Sequence, residues 1–134
     1  MTTFTIDTFA WIEYLEGTVS GEKIGEIIEN DNEYTLFTPS IVLAELADAL
    51  ARGKLKINWE DIVRFIKFNT KIIEINEDIA RDAGLIKFRL RKKYDDFGLV
   101  DGVVLATSLY TSSKLLTGDP HLVGENNVID IRKI

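Results

Sequence analysis

The sequence predicts an α/β fold of three layers, in which a mainly parallel sheet is covered by helices on both faces. Short runs rich in β-branched and aromatic residues alternate with longer segments whose apolar residues recur every three or four positions. No repeat, low-complexity segment or linker rich in Pro, Gly and Ser interrupts this alternation. Because 134 residues with 46% hydrophobic content are enough for one core, we predict a single domain over residues 1–134.

Each element has a local signal for its type. The strand-like runs are short, whereas the helix-like segments are longer and several of them end at glycine. Thr38 and Pro39 suit the N-cap and the first residue of the third helix. In chain order, the prediction is a strand at 3–6, a helix from 8 up to Gly17, a helix at 21–30, a strand at 34–37, a helix at 40–52, a helix at 59–68, a strand at 71–75, a helix from 77 to about 93, a helix at 100–110, a strand at 114–117 and a last strand at 127–131.

The composition limits the chemistry that the chain can perform. It contains no cysteine, which excludes disulfides, thiolate metal sites and thiol nucleophiles. Its one histidine, His121, excludes reactions that need two imidazoles. The net charge of −6 is opposite to the basic surface of a protein that binds nucleic acid by charge alone. Ligand and acid–base groups must therefore be mainly carboxylates, hydroxyls and lysines, and nucleic-acid binding would need a cation or a local basic patch.

The sequence carries no sign of membrane insertion or export. It has no run of about 18 apolar residues, and its first residues, MTTFTIDTF, lack the basic stretch and apolar segment of a secretory signal. We expect a soluble, cytoplasmic protein.

Four acidic residues stand where the predicted fold would bring side chains together. Asp7 follows the first strand and Asp119 follows the strand at 114–117, so both lie at the same edge of the sheet if those strands are parallel. Asp101 opens an apolar helix, and Glu45 lies among the apolar positions of the third helix. A charge near the buried side of a helix is costly unless a cation or a hydrogen-bond donor meets it.

Each acid alone also has a plain structural interpretation. Asp7, Asp101 and Asp119 all precede helix-like segments and suit N-caps, while Glu45 can lie at the edge of its apolar face and reach water. Their joint placement favours one pocket. Carboxylates packed together repel each other, and a hard, oxygen-seeking cation such as Mg²⁺ or Mn²⁺ is the simplest group that would hold them. The sequence therefore predicts a divalent-metal site.

Four segments, read in order, carry a family resemblance: IDTFAWIEYLEG, TPSIVLAELADAL, VDGVVLATSLY and KLLTGDPHL. With them the chain resembles the PIN-domain family, in particular the toxins of VapBC-type toxin–antitoxin pairs, from Asp7 to Leu122. The resemblance implies a three-layer α/β/α nuclease that hydrolyses RNA phosphodiesters with Mg²⁺ or Mn²⁺. It also implies a homodimer held inactive by a cognate antitoxin whose C-terminal segment covers the site.

The same resemblance assigns roles to individual residues. One position departs from the family pattern, because Phe9 stands where many members carry Asn or Ser two residues after the first acid. By the resemblance, Thr8 and Thr117 match hydroxyl positions beside the first and last acids, and we expect them to bind the substrate. The residues that match the four metal-site and catalytic acids are Asp7, Glu45, Asp101 and Asp119.

Two basic clusters stand close to these acids in sequence and are candidates for contacts with a phosphate backbone. An equally open interpretation is a solvated helix end, where cations suit the helix dipole. His121 is expected in a surface loop without a catalytic role, and Trp11 and Trp59 in the core or at a dimer contact. The clusters consist of Lys87, Arg89, Arg91, Lys92 and Lys93, and of Arg52, Lys54 and Lys56.

Two other functions remain open at the level of sequence. Asp7 has the position of the nucleophile in phosphatases that use an Asp after the first strand, but these need another Asp two residues on, where this chain has Phe9. The other alternative is a module that binds or assembles without catalysis, whose acids are caps and solvated charge.

Overall fold

A computed structural model describes residues 2–30 and 32–134 of the chain, so Met1 and Asp31 lie outside the description. Within that part, five strands and six α-helices alternate. The elements are β1 (Thr2–Ile6), α1 (Thr8–Glu16), α2 (Val19–Ile28), β2 (Tyr34–Pro39), α3 (Ser40–Ala51), α4 (Trp59–Asn69), β3 (Lys71–Ile73), α5 (Glu77–Leu90), α6 (Leu99–Tyr110), β4 (Lys114–Thr117), β5 (Val128–Asp130) and a 3₁₀ turn (Ile131–Lys133).

The described strands form one parallel sheet in the order β3-β2-β1-β4-β5. The chain moves outward from β1 through β2 to β3, then crosses to the other side of β1 to form β4 and β5. Because parallel crossovers are right-handed, this reversal places helices on opposite faces of the sheet. The predicted three-layer α/β fold is confirmed, and the reversal between β1 and β4 opens a crevice at the carboxyl ends of these two strands.

The core lies between the sheet and its two helix layers. Ile6, Leu115 and Leu116 of the central strands are fully buried, and Trp11 of α1 is as well. The indole N–H of Trp11 donates to Thr38 Oγ1 at 3.2 Å, which satisfies the polar atom of this large buried side chain. The expectation of a core position is confirmed for Trp11, and Trp59 is partly buried against the core.

The boundary around Thr38 and Pro39 differs from the sequence prediction, which was wrong about the cap. Both residues end β2, and Pro39 occupies the N-cap position of α3 without a side-chain hydrogen bond. The buried Thr38 hydroxyl instead meets Trp11 and the Thr70 hydroxyl, the latter at 2.8 Å. Thr38 therefore connects helices to the sheet rather than starting a helix.

The other differences are shifts at element ends. The helix expected up to about residue 93 ends at Leu90, because the chain turns there and the guanidinium of Arg91 donates to the carbonyl of Phe97 in the next loop. The strand expected at 71–75 ends at Ile73. Among the described residues, no helix is both long and apolar enough to span a bilayer.

Candidate metal centre

Asp7 lies in the crevice between β1 and β4, as the N-cap of α1. Its Oδ1 accepts from the backbone N–H of Thr8 at 2.7 Å, and its Oδ2 accepts from the Thr117 hydroxyl at 2.6 Å. The residue is only 5% exposed. Two donors thus hold a carboxylate that is almost removed from solvent, in a position fixed by two adjacent strand ends.

The end of β4 supplies both Thr117 and the second strand-end acid. The Thr117 hydroxyl accepts from the backbone N–H of Asp119 at 3.1 Å, while it donates to Asp7. One Asp119 carboxylate oxygen accepts from the backbone N–H of His121 at 2.9 Å. Thr117 therefore links the two acids and sets their relative position.

Glu45 and Asp101 approach the same crevice from two helices. Glu45, half-buried on α3, accepts from the Thr8 hydroxyl at 2.6 Å. Asp101 lies in the first turn of α6, whose N-cap is Gly98. Asp101 is thus not an N-cap, and the plain interpretation of this acid as a cap is wrong.

The four acids line one pocket of about 260 Å³, which we call the acidic pocket. The structure therefore brings together all four of the acids that the sequence singled out, from segments far apart in the chain. Their catalytic and metal-binding roles stay predictions. The residues that line the acidic pocket are Asp7, Thr8, Phe9, Ile12, Glu45, Asp101, Asp119 and Pro120.

Burial and mutual repulsion make ionisation in the acidic pocket costly. Burial raises the pKa of Asp7 to about 7, with a further contribution from the charges of Glu45 and Asp101, although the hydrogen bonds from Thr117 and Thr8 oppose the rise. Burial also raises the pKa of Asp101 to about 6, helped by the charges of Asp119 and Glu45. In the metal-free protein, Asp7 and Asp101 therefore keep their protons to a higher pH than exposed aspartic acids do.

His121 also joins this cluster, which the sequence analysis missed. A ring nitrogen of His121 and carboxylate oxygens of Asp101 and Asp119 all lie within 4.8 Å of one another. Its Nε2 is 3.1 Å from Asp96 Oδ1. His121 does lie in a loop, as expected, but only 26% of its side chain is exposed. The sequence feature that could have indicated this contact is the position of His121, two residues after Asp119 at the end of a strand.

A family model described as "PIN domain" matches residues 4–123. The chain belongs to the PIN-domain family. This match spans most of the chain and agrees with the resemblance seen in the sequence. No curated protein gives a significant sequence match.

Solved structures share the fold at low sequence identity. A toxin–antitoxin complex from Klebsiella pneumoniae is 21% identical, with a TM-score of 0.68 over 98% of both chains. VapBC from Salmonella typhimurium, bound to DNA, is 17% identical, with a TM-score of 0.71 over 98% of this chain and 99% of that one. A Mycobacterium tuberculosis toxin described as cleaving the sarcin-ricin loop is 14% identical, with a TM-score of 0.66 over 87% and 90%.

The donor set of this PIN domain fits a hard divalent cation. The acidic pocket offers carboxylate oxygens from four side chains, which are the ligands that Mg²⁺ and Mn²⁺ prefer. Burial is the largest cause of the raised pKa values of Asp7 and Asp101, and the only charge that opposes the rise at Asp101 is that of His121. The residues present therefore fit the group that the sequence predicted.

Next to the first acid, the acidic pocket of this PIN domain is lined by the aromatic ring of Phe9. The Phe9 ring packs on Gly118, where an added Cβ would lie only 2.4 Å from Phe9 Cε1. Phe9 therefore supplies an apolar side to the acidic pocket. The orientation of Asp7 comes instead from Thr8 and Thr117.

The basic clusters lie outside the lining of the acidic pocket. Arg89 forms an ion pair of 2.7 Å with Glu125, and Arg91 is hydrogen-bonded to the Phe97 carbonyl. Lys92 lies over the Phe88 ring and Lys93 over the Tyr94 ring. The two arginines are thus engaged within the protein, whereas Lys92 and Lys93 stay exposed. Their contact with substrate stays a prediction.

Arg52, Lys54 and Lys56 also stand apart from the acids. Arg52 forms an ion pair of 3.0 Å with Asp48. Lys54 and Lys56 line a separate pocket of about 420 Å³ with Leu15 and Glu16.

The raised pKa values predict that the metal-free protein loses stability as the pH rises. In the folded state Asp7 and Asp101 keep their protons up to about pH 6 to 7, whereas the unfolded chain releases them near pH 3.8. The contribution of these two carboxyls to the stability of the fold is therefore complete below pH 3.8 and is lost as the pH rises to about 6 to 7. We expect urea unfolding in EDTA to give a free energy roughly 3 to 4 kcal/mol lower at pH 8 than at pH 5. Mn²⁺ should stabilise more strongly at pH 8, because deprotonated carboxylates bind it. Equal stability at both pH values without metal would contradict the assigned cause.

Proposed function

We propose that the chain is a Mg²⁺- or Mn²⁺-dependent endoribonuclease, the toxin of a VapBC-type toxin–antitoxin pair in the cytoplasm. The observation that carries this proposal is the acidic pocket, in which carboxylates from four separate segments meet at the crevice between β1 and β4. Helix capping does not account for this convergence, because Asp101 lies in the first turn of α6 and Glu45 lies within α3, so neither is a cap. A nuclease function also agrees with membership of the PIN-domain family.

The family and the fold neighbours support an RNA substrate and an antitoxin partner. One neighbour is described as a toxin that cleaves the sarcin-ricin loop, which is an RNA target, and others are toxin–antitoxin complexes. We assign RNA and a cognate antitoxin to this chain on that basis.

In this proposal Asp7 and Asp101 would hold the cation directly. Glu45 and Asp119 would hold it through water or orient the attacking water. A bound divalent cation would supply Lewis-acid activation of that water and neutralise the charge of the phosphodiester. All other groups in the proposed site are side chains of the protein.

The two threonines prepare the carboxylates for this role. Thr117 donates to Asp7, and the Thr8 hydroxyl donates to Glu45, so each hydroxyl fixes the direction of one carboxylate. Thr8 also lines the acidic pocket, where it can reach a substrate oxygen only by releasing Glu45. We therefore propose that Thr8 and Thr117, expected to bind substrate, act chiefly by positioning the acids.

Contacts with the RNA backbone need cations at the edge of the acidic pocket. Lys92 and Lys93 are exposed and follow α5, in the segment that leads to Asp101. Arg89 and Arg91 of the same cluster would first have to leave Glu125 and the Phe97 carbonyl. We propose that the two lysines make the main phosphate contacts and that the arginines hold their segment in place.

Large exposed apolar side chains support assembly with other chains. Phe68 of α4 is 86% exposed and lines a groove of about 330 Å³ with Phe65, Asp61 and Arg64. Phe88 of α5 is 70% exposed. Burial of such residues favours association, and we propose a homodimer and an antitoxin complex that cover them.

Incubation of the purified, antitoxin-free protein with a pool of structured RNAs tests the activity. We expect cleavage with Mg²⁺ or Mn²⁺, none with EDTA, and a loss on the order of 10³-fold in Asp101→Asn. Asp95→Asn is the matched control, because it removes an equal charge from an exposed position outside the acidic pocket.

Two results would contradict the proposal. One is cleavage that survives both chelation and Asp101→Asn, which would indicate a contaminating nuclease or another site. The other is an aspartyl-phosphate trapped on Asp7, which would revive the phosphatase alternative.

A further inference from the structure

The cluster of His121, Asp101 and Asp119 has the spacing of a metal site with mixed ligands. The three donor atoms lie within 4.8 Å of one another. Ligands bound to one cation at roughly 2 Å each end up at most about 4 Å apart, so small side-chain movements would bring the His121 nitrogen and Asp101 to one ion, with Asp119 beside it through a water. The ring nitrogen therefore lies within reach of an ion held by the acids.

The contact with Asp96 distinguishes the two ring nitrogens of His121 by position. Nε2 lies 3.1 Å from Asp96 Oδ1, which is within ion-pair distance. A neutral imidazole with its hydrogen on Nε2 has the lone pair of Nδ1 free to bind a cation. Nδ1 is the nitrogen on the side of Asp119, at 3.9 Å from its Oδ1. A carboxylate that orients a histidine in this way is the usual outer partner of a metal-binding imidazole.

The ring is also held in place before any ion arrives. It packs on Tyr94 with ring centres 4.9 Å apart and on Phe97 at 6.2 Å. The backbone N–H of His121 donates to Asp119, which ties the histidine to one of the acids of the cluster. A preorganised ligand loses little freedom on binding.

We propose that His121 is a nitrogen ligand of the acidic pocket, oriented by Asp96, and that it makes the site prefer transition-metal ions over Mg²⁺. This inference rests on the proposed function in so far as the pocket must bind a divalent cation. Mg²⁺ takes oxygen ligands, whereas imidazole binds first-row transition metals with a strength that increases from Mn²⁺ to Co²⁺. The one nitrogen donor therefore decides which ion the pocket selects.

The competing interpretation of the same geometry is a His121 ring that lies beside Asp96 and Asp119 without bonding to the ion. The two interpretations differ in one observable, which is direct bonding between the ion and a ring nitrogen.

Pulsed electron paramagnetic resonance of the Mn²⁺-loaded protein detects that bond. The chain contains one histidine, so protein produced without a histidine tag has no other imidazole that could couple to the ion. We expect imidazole nitrogen couplings in the native protein and none in His121→Gln. RNA and enzymatic activity play no part in this measurement.

Calorimetric titrations with Mg²⁺, Mn²⁺ and Co²⁺ measure the selectivity. In His121→Gln we expect the Co²⁺ affinity to fall roughly 10- to 100-fold, the Mn²⁺ affinity to fall less, and the Mg²⁺ affinity to change less than about threefold. Asp96→Asn should weaken Co²⁺ binding about tenfold through loss of ring orientation. Asp95→Asn, one position away and exposed, is the matched control and should bind as the native protein does.

Two further outcomes distinguish failure of this inference from failure of the proposed function. Mn²⁺ bound without nitrogen coupling, with unchanged selectivity in His121→Gln and Asp96→Asn, would overturn the inference and leave the proposed nuclease intact. Failure of the native, folded protein to bind any of the three ions at millimolar concentration would overturn both. Circular dichroism of each variant establishes that the fold is retained, and Asp96→Asn carries the test if His121→Gln does not fold.

Discussion

Replacing Asp7 with Asn is expected to abolish RNA cleavage and at the same time to stabilise the metal-free protein at pH 8. Loss of a ligand and of a negative charge at the centre of the acidic pocket should reduce cleavage on the order of 10³-fold or more. The gain in stability follows from the pKa of Asp7, which burial raises from 3.8 to about 7. Such a rise corresponds to a cost of roughly 4 kcal/mol for the ionised carboxylate in the folded state.

Asn keeps part of the native hydrogen bonding. Its carbonyl oxygen can accept from the backbone N–H of Thr8, but its amide must face the Thr117 hydroxyl, which now donates to Asp7. This rearrangement offsets some of the gain, so we expect a net stabilisation of about 2 kcal/mol in EDTA.

Urea unfolding in EDTA at pH 5 and pH 8, combined with the cleavage assay, tests this prediction. The variant should be clearly more stable than the native protein at pH 8 and only slightly so at pH 5. Asp95→Asn, whose carboxylate is exposed, should change neither stability nor cleavage. A loss of stability at pH 8 would mean that the hydrogen bonds of Asp7 outweigh its burial.

Replacing Gly21 with Ala is expected to destabilise the protein by about 3 kcal/mol, because α1 and α2 touch at this residue. A Cβ at position 21 would lie 1.9 Å from the carbonyl oxygen of Glu13. That oxygen belongs to the backbone and already accepts from the N–H of Thr18 at 3.2 Å, so it is not free to move aside. The two helices would have to separate, which is the kind of overpacking that closely packed interiors resist.

Gly84→Ala is the matched control for this change. Gly84 lies within α5, and an added Cβ there would have no neighbour within 4 Å. Alanine should therefore stabilise the protein by roughly 0.5 to 1 kcal/mol through helix propensity. Thermal and urea unfolding of both variants should give shifts of opposite sign, and a neutral Gly21→Ala would show that the contact between α1 and α2 is loose.

The sequence was most informative where a single geometric rule placed a residue. Asp7 and Asp119 follow strands, and the carboxyl ends of parallel strands meet at one edge, so their convergence could be predicted without any tertiary contact. Glu45 and Asp101 could be placed near the same edge from helical spacing and from the start of an apolar segment.

The sequence was least informative where loops meet. His121 contacts Asp96, Tyr94 and Phe97 because the turn after β4 packs on the turn before α6. Neither turn has a repeating residue pattern from which its conformation could be derived, so the contact between the two turns could not be predicted. Thr38 was misplaced for a related reason: its local sequence suits a helix cap, but contacts with Trp11 and Thr70 retain it in the strand.

The arrangement of the sheet also determines when the pocket can exist during synthesis. The central strand β1 is made before every helix, whereas its neighbour β4 and the acid that follows it are made after all six α-helices. A nascent chain in which β4 has not yet been made lacks one wall of the crevice and one carboxylate. Any chemistry that needs all four acids therefore begins only after the segment that carries Asp119 has been made and folded.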